Sequence, residues 1–238
     1  MNEYYNNKNI DMNGRYFVIN GVLHIQPGVT KIQDGEFKGY NGLTGVRIPA
    51  SVREIGAEAF YGCRGLTRIV IPNSVIRIGD NAFQECTGLR GIVLPHNLEV
   101  ISRGMFMECI ELRGVVIPRH IIKIGECAFA GCSKLSNVEF SESVKEIGWG
   151  AFARCCELTS ISSLKHVVKI SNYAFWECSK LNDKNGSKKN QKRGGTIKSK
   201  KVKMKVKPWH IGTGFHTAGI WGRSYLRPYK QFRHDPAA

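Results

Sequence analysis

The chain lacks any long hydrophobic run and any recognisable export signal. Among its 238 residues, no stretch approaches the roughly 18 consecutive apolar residues that a transmembrane helix needs. Residues 1–11 are polar and rich in Asn, without the basic start and apolar stretch of a secretory signal. The sequence therefore predicts neither a membrane span nor a signal peptide.

Residues that carry catalysis or hold metal ions are present but are not grouped in a known pattern. The seven His are scattered, and Cys127 and Cys132 have no second pair that would close a zinc site. Gly212, Gly214 and Gly219 do not form the nucleotide-binding fingerprint that follows a strand. The sequence thus predicts no enzymatic activity, no metal site and no cofactor.

Acidic residues are missing from most of the C-terminal region. Between Lys184 and His234 there is no Asp or Glu, so residues 182–238 carry a net charge of +13, against +3 for residues 1–181. Such a segment buries too little apolar surface to offset the entropy of ordering. We therefore expect residues 183–238 to form a disordered basic tail.

A dense lysine cluster in this tail is a candidate polyanion-binding site. Lysine contacts to phosphates release counterions, and the aromatic residues that follow, such as Trp209 and Tyr225, can stack on unpaired bases. Nucleic acid, an anionic membrane surface and a nuclear-import receptor are the candidate partners of this composition. A solvated tail without a dedicated role and a tail that was never selected also stay open. The cluster comprises Lys198, Lys200, Lys201, Lys203, Lys205 and Lys207.

The rest of the chain repeats with a period of 23 residues. Several columns keep this spacing without an insertion, which predicts stacked coils that cover one another's hydrophobic side. The clearest columns are Phe37, Phe60, Phe83, Phe106, Phe129, Phe152 and Phe175, and Leu43, Leu66, Leu89, Leu112, Leu135, Leu158 and Leu181.

One repeat unit, residues 66–88, shows how each coil is expected to fold. It begins with an L-x-x-I-x-I run, typical of a short strand, and residues 74–78 form a second β-prone run. Gly79 is expected to permit a bend, and the spacing of Phe83 and Cys86 fits one helical turn. The prediction is an α/β solenoid of about seven 23-residue coils with a parallel β-sheet.

This unit resembles the BspA-type leucine-rich repeat. The resemblance covers about residues 15–181 and implies a solenoid with a parallel sheet. It also implies adhesion or protein binding, often at the surface of bacteria and protists, and it does not imply catalysis. The matching positions are Ile71-Pro72, Ser74-Val75, Ile78-Gly79, Ala82-Phe83, Cys86, Leu89 and Ile92.

The N-terminal end of the array carries a hairpin signal. Asn20-Gly21 lies between two β-prone runs, which is typical of a two-residue hairpin turn. We interpret this hairpin as a cap on the first coil. The predicted organisation is an extension with the capping hairpin at 1–24, the leucine-rich repeat solenoid at 25–182 and the tail at 183–238.

Six of the eight cysteines share one column, which Tyr40 occupies in the first unit. The column indicates buried, reduced thiols that fill volume, because neighbouring Cβ vectors would run parallel, a poor geometry for disulfides. Disulfides, and a redox role for the vicinal Cys155-Cys156 pair, are the alternatives. The column comprises Cys63, Cys86, Cys109, Cys132, Cys155 and Cys178.

The outward positions of the strand run are the candidate protein-binding surface. Val falls between the inward residues in three successive units, and an apolar stripe edged by Arg is typical of interfaces. Plain strand filling is the alternative, because Val suits strands. The sequence favours a non-enzymatic, monomeric protein-binding module, and favours the cytoplasm over the nucleus and the cell surface. The candidate residues are Thr67, Val70, Arg90, Val93, Arg113 and Val116.

Overall fold

The structure, a computed structural model, describes residues 14–161 and 164–181 as a series of short β-strands joined by turns. Proline or glycine punctuates every unit before the last described one, residues 159–181, and each strand is two to four residues long. The strands are β1 (Tyr16–Ile19), β2 (Val22–Ile25), β3 (Lys31–Ile32), β4 (Gly45–Arg47), β5 (Glu54–Ile55), β6 (Arg68–Val70), β7 (Arg77–Ile78), β8 (Gly91–Val93), β9 (Val100–Ile101), β10 (Gly114–Val116), β11 (Lys123–Ile124), β12 (Asn137–Glu139), β13 (Glu146–Ile147), β14 (Ser160–Ile161) and β15 (Lys169–Ile170).

The hairpin expected from Asn20-Gly21 is present. Strands β1 and β2 pair antiparallel, and φ is 50° at Asn20 and 76° at Gly21, as a type I′ turn requires. The ring of Tyr16 is buried and packs edge-on against Phe37, with 5.1 Å between the ring centroids. The hairpin therefore lies over the hydrophobic end of the first coil.

Two rows of parallel strands run along the solenoid. The first row contains β2, β4, β6, β8, β10, β12 and β14, and the second row contains β3, β5, β7, β9, β11, β13 and β15. Partners in neighbouring coils are 23 residues apart, as for Ile69 and Ile92 in the first row and Ile55 and Ile78 in the second. The sequence period is thus the strand register.

Each row is interrupted once, and both interruptions fall at the same place along the chain. In the first row β8 does not pair with β10, and in the second row β7 does not pair with β9. The strands β1–β8 therefore lie on one side of the interruption and β9–β15 on the other. Ile92 in β8 is half-buried, whereas Ile69 and Val115 at the same column position are buried.

The third side of each coil is an arc of turns, which corrects one prediction. Phe83 N–H donates to the carbonyl oxygen of Met105 in the next coil at 3.0 Å, while Cys86 N–H donates to the carbonyl oxygen of Phe83 within the same arc at 3.3 Å. Because every second amide bonds to a neighbouring coil, no helix forms. The expected helical turn and the α/β class are wrong: the described residues form a β-solenoid.

The repeat phenylalanines stack along the interior. Centroids of consecutive rings are 5.1–5.7 Å apart and their planes differ by 3–21°. These distances exceed the roughly 4.8 Å strand spacing, so the rings are offset, which favours aromatic stacking. Seven rings mark about six complete turns, fewer than the seven coils expected, because the outermost units are incomplete.

The glycine that follows β5, β7, β11 and β13 in the second row is required by close approach rather than by a bend. A Cβ on Gly79 would lie 2.4 Å from the backbone nitrogen of Ala57 in the preceding coil, and one on Gly125 would lie 2.8 Å from that of Arg103. Ser102 occupies this column in the coil whose β9 does not pair with β7. Its Cβ has to hold the coil away from its neighbour, and its Oγ donates to the carbonyl oxygen of Ile78.

Ser171 occupies the same column in the last described coil, where β13 and β15 do pair. That coil has no described coil beyond it, whereas the coil of Ser102 lies between two others. On the first row, Gly91 and Gly114 face one another across the interruption and add little side-chain packing.

Candidate protein-binding surface

The outer side of the first row presents the three predicted valines to solvent. Val70, Val93 and Val116 are 63%, 55% and 64% exposed, while the residues before them in β6 and β10, Ile69 and Val115, are 2% and 5% exposed. The alternation follows from the two-residue period of a strand. We call these three valines the valine ridge; it crosses the interruption between β8 and β10.

Arginine and threonine lie along one edge of the valine ridge. Thr67, Arg90 and Arg113 are exposed at the start of three successive coils, and Arg90 N–H donates to the carbonyl oxygen of Thr67 at 2.9 Å. Neither arginine forms an ion pair with a described residue. Glu111 approaches them, but its pKa is lowered chiefly by a hydrogen bond from Lys134 and only then by the two guanidinium charges.

A depression on the same surface, nearer the hairpin, was not identified from the sequence. Gly45 leaves a gap in β4 between Val22 on one side and Arg68 on the other, its register partners. Arg47 lies on the same face beside His24, whose ring stacks on Phe17 at 4.7 Å. The signal was available, because Gly45, Arg68 and Gly91 are 23 residues apart.

Exposed apolar side chains on the second row do not form a comparable stripe. Ile76, Ile122 and Val168 are 59%, 48% and 69% exposed, but each alternates with a charged residue in the neighbouring coil. Ile122 N–H, for example, donates to the carbonyl oxygen of Glu99, and Lys145 N–H to that of Ile122. Consecutive exposed valines distinguish the first row from this arrangement.

The cysteine column faces the core, as the sequence predicted. Its six members are buried, whereas Cys127 and Cys156 are half-buried, and all eight are free thiols. Across residues 14–161 and 164–181 no three His, Cys, Asp or Glu side chains are grouped to hold a metal ion. The six lysines of the predicted polyanion site all lie outside the described residues.

None of the described segments includes a helix with the length and hydropathy needed to cross a membrane.

The architecture is that of a leucine-rich repeat solenoid, and comparison with known proteins defines the family. The profile of the BspA type leucine rich repeat region matches in six copies over residues 21–119 and 99–198. The chain belongs to the BspA-type leucine-rich repeat family. Domains of this family generally serve as non-enzymatic binding modules.

Several solved structures share this fold. A leucine-rich repeat protein of T. pallidum is 32% identical over 71% of this chain and 87% of that protein, with a TM-score of 0.64. One from Bacteroides ovatus is 30% identical over 66% of this chain and 47% of its own length, with a TM-score of 0.58. One from Eubacterium ventriosum is 27% identical over 75% and 54%, with a TM-score of 0.59. The chain spans about half the length of the latter two. Among curated proteins, no match is found.

Proposed function

We propose that this chain is a non-enzymatic protein-interaction module, adhesion-like or scaffolding, that binds its partner on the outer face of the first row. The observation that carries the proposal is the valine ridge, three exposed valines on successive coils. Arg90 and Arg113 beside the ridge supply the polar rim that protein interfaces contain. The binding role typical of the family supports the same function.

The dimensions of the first row favour a partner that also contacts its edges. Seven strands at a spacing of about 4.8 Å give a face about 30 Å long, and three residues per strand make it about 10 Å wide. That area is well below the roughly 800 Å² that each side of a standard interface buries. The partner is therefore expected to cover Thr67, Arg90 and Arg113 as well as the valine ridge.

Site-specific photocrosslinking of the full-length chain tests this proposal. A photoreactive phenylalanine analogue at Val93 should capture a protein that the same analogue at Val168, which is also exposed but lies beside the second row, does not capture. With that partner purified, Val93→Asp should weaken binding by at least about tenfold, because a carboxylate then replaces a buried methyl surface. Val168→Asp is the matched control. Equal weakening by both variants, or identical adducts from both positions, would reject the first row as the binding face.

The alternative proposal is association with nucleic acid or another polyanion through the lysine cluster at 198–207. Its support is the net charge of +13 in residues 182–238. Binding of full-length protein to a single-stranded DNA of about 30 nucleotides should weaken steeply with salt. Replacement of the six lysines by Gln should flatten that dependence; an unchanged slope would exclude the cluster as the cause.

A further inference from the structure

The depression at Gly45 combines an apolar lining with a cationic rim. Its volume is about 470 Å³. The buried residues Val46 and Ile69 lie beneath it, and the exposed Val70 forms part of its wall. The complete lining is Val22, Gly45, Val46, Arg47, Ile48, Arg68, Ile69, Val70 and Pro72.

The missing side chain of Gly45 creates the space. A Cβ at this position would lie 3.7 Å from the Cγ2 of Val22 and would meet no backbone atom within 4 Å. The close approach that requires Gly79 in the second row is therefore not the reason for glycine here. A methyl group would fit at this position, so packing does not require glycine here and the depression is a property of the surface.

Two guanidinium groups on the rim have no carboxylate partner among residues 14–161 and 164–181. Arg47 and Arg68 are exposed and line the depression, which contains no Asp or Glu. Neither arginine forms an ion pair within the described part of the chain. Guanidinium groups pair with carboxylates bidentately, so the rim is complementary to an acidic ligand.

We infer that the depression receives an apolar side chain of an extended, acidic segment of the protein partner, an inference that rests on the proposed function of the first row. In an extended segment, residues two apart lie on the same face, about 6.6 Å apart. An apolar residue with Asp or Glu two positions before and after it therefore places its side chain over Gly45 and its carboxylates on the face that carries Arg47, two residues along β4, and Arg68, beside Gly45 in the adjacent strand. A polyanion without the apolar residue leaves the lining solvated. An uncharged apolar ligand partly desolvates the guanidinium groups without pairing them.

The test is a titration of the ¹⁵N-labelled full-length chain with the peptide Gly-Ser-Glu-Thr-Leu-Thr-Glu-Ser-Gly. The amide signal of Gly45 reports the depression, and those of Gly91 and Gly114 report the valine ridge. Binding should shift Gly45 saturably. Replacing the Leu of the peptide by Ser, or both Glu by Gln, should weaken binding by about tenfold, the scale of one buried leucine or a lost charged pair.

Protein variants separate the apolar contribution from the charge. Gly45→Val should obstruct the depression and abolish the effect of the leucine, while Gly114→Val, whose Cβ would meet only the carbonyl oxygen of Asn137 at 3.7 Å, is the matched control outside the depression. Arg47→Gln and Arg68→Gln should each weaken binding of the peptide with Glu and leave binding of the peptide with Gln unchanged.

Two results would overturn the inference in different ways. Peptide binding would lie on the first row but outside the depression if the amide signals of Gly91 and Gly114 shift while that of Gly45 does not. The same conclusion would follow if the Gly45→Val variant binds the peptide as tightly as the unaltered protein. Shifts at none of the three glycine signals, as binding by the basic tail alone would give, would also overturn the inference, whereas the proposed role of the first row is decided by the crosslinks at Val93 and Val168.

Discussion

The Sγ of Cys86 donates a hydrogen bond to the carbonyl oxygen of Phe60, 26 residues earlier, at 3.1 Å. The other five cysteines of the column make the same bond at 3.1–3.2 Å. Cysteine thus fills the volume of a small apolar residue and adds a second hydrogen bond to the carbonyl oxygen of Phe60, which also accepts from the backbone N–H of Cys63 at 3.2 Å. An alanine or valine in the column would fill space but would remove this second hydrogen bond.

Because the cysteine column is buried, the free energy of unfolding should decrease as the pH becomes alkaline. Burial raises the pKa of Cys63 and of Cys178 from 9.0 to about 12, whereas a thiol in the unfolded chain ionises near its ordinary value of about 8.5. The folded thiols keep their protons while the unfolded ones lose them. The stabilisation is therefore complete below about pH 8.5 and is lost as the pH rises toward about 12, at about 1.4 kcal/mol per pH unit for each thiol. The urea midpoint in the presence of reductant should fall between about pH 8 and about pH 10.

The double variant Cys63→Ala/Cys178→Ala is the control for this dependence. It removes two of the six column thiols at the ends of the array, so the alkaline slope should decrease by about a third. A slope equal to that of the unaltered protein would mean that other groups cause the pH dependence.

Loss of one ring from the phenylalanine stack should destabilise the solenoid strongly. Phe129 is fully buried and its ring contacts Phe106 at 5.3 Å and Phe152 at 5.1 Å between centroids. Phe129→Ala should lower the free energy of unfolding by about 3–5 kcal/mol in urea titration. Val168→Ala, at an exposed position, should change it by less than about 0.5 kcal/mol. A loss below about 1 kcal/mol for Phe129→Ala would contradict its place in the core.

The glycines of the two rows should respond differently to the same substitution. In Gly79→Ala the new methyl would meet the backbone of Ala57 at 2.4 Å, and backbone cannot move away as a side chain can. This variant should cost about 1–3 kcal/mol by chemical denaturation. Gly91→Ala meets no atom within 4 Å and should remain within about 0.5 kcal/mol of the original. Equal losses of stability in the two variants would show that backbone conformation, and not the close approach of the neighbouring coil, explains the glycine at position 79.

Replacing Ser102 should restore pairing in the second row. Ser102→Gly removes the Cβ that keeps β9 from β7, so the amide at position 102 should exchange its hydrogen more slowly by about tenfold. Ser171→Gly is the matched variant, because Ser171 N–H already donates to the carbonyl oxygen of Ile147 at 2.9 Å. Its exchange should change little, and an unchanged rate at position 102 would reject the steric explanation.

The 23-residue period predicted the interior of the molecule well, because burial repeats with the coil. Phe83, Leu89 and Cys86 occupy the core as expected. The period did not distinguish a helical turn from an arc of turns, since both bring residues three apart to one side. That distinction depends on where Phe83 N–H bonds, and its partner, the carbonyl oxygen of Met105, belongs to another coil.

The surface was predicted less completely, for a related reason. Val70, Val93 and Val116 were found because one residue type recurs in one column. The depression depends on unlike residues in one column, Gly45 next to Arg68, and on Val22 of a hairpin outside the repeat. Such a site becomes visible only when neighbouring coils are aligned and their differences are compared.

Where the two rows are interrupted, β8 does not pair with β10 and β7 does not pair with β9. Backbone hydrogen bonds between the coils continue there along the arc of turns, as from Phe83 N–H to the carbonyl oxygen of Met105. Phe83 and Phe106, the rings on either side, have the widest spacing of the stack at 5.7 Å. Since no strand pairing crosses this joint among the described residues, we expect the solenoid to bend there more easily than elsewhere. Val93 and Val116 lie on opposite sides of this joint. A ligand that contacts both valines would therefore bind one curvature of the solenoid best and would stabilise that curvature.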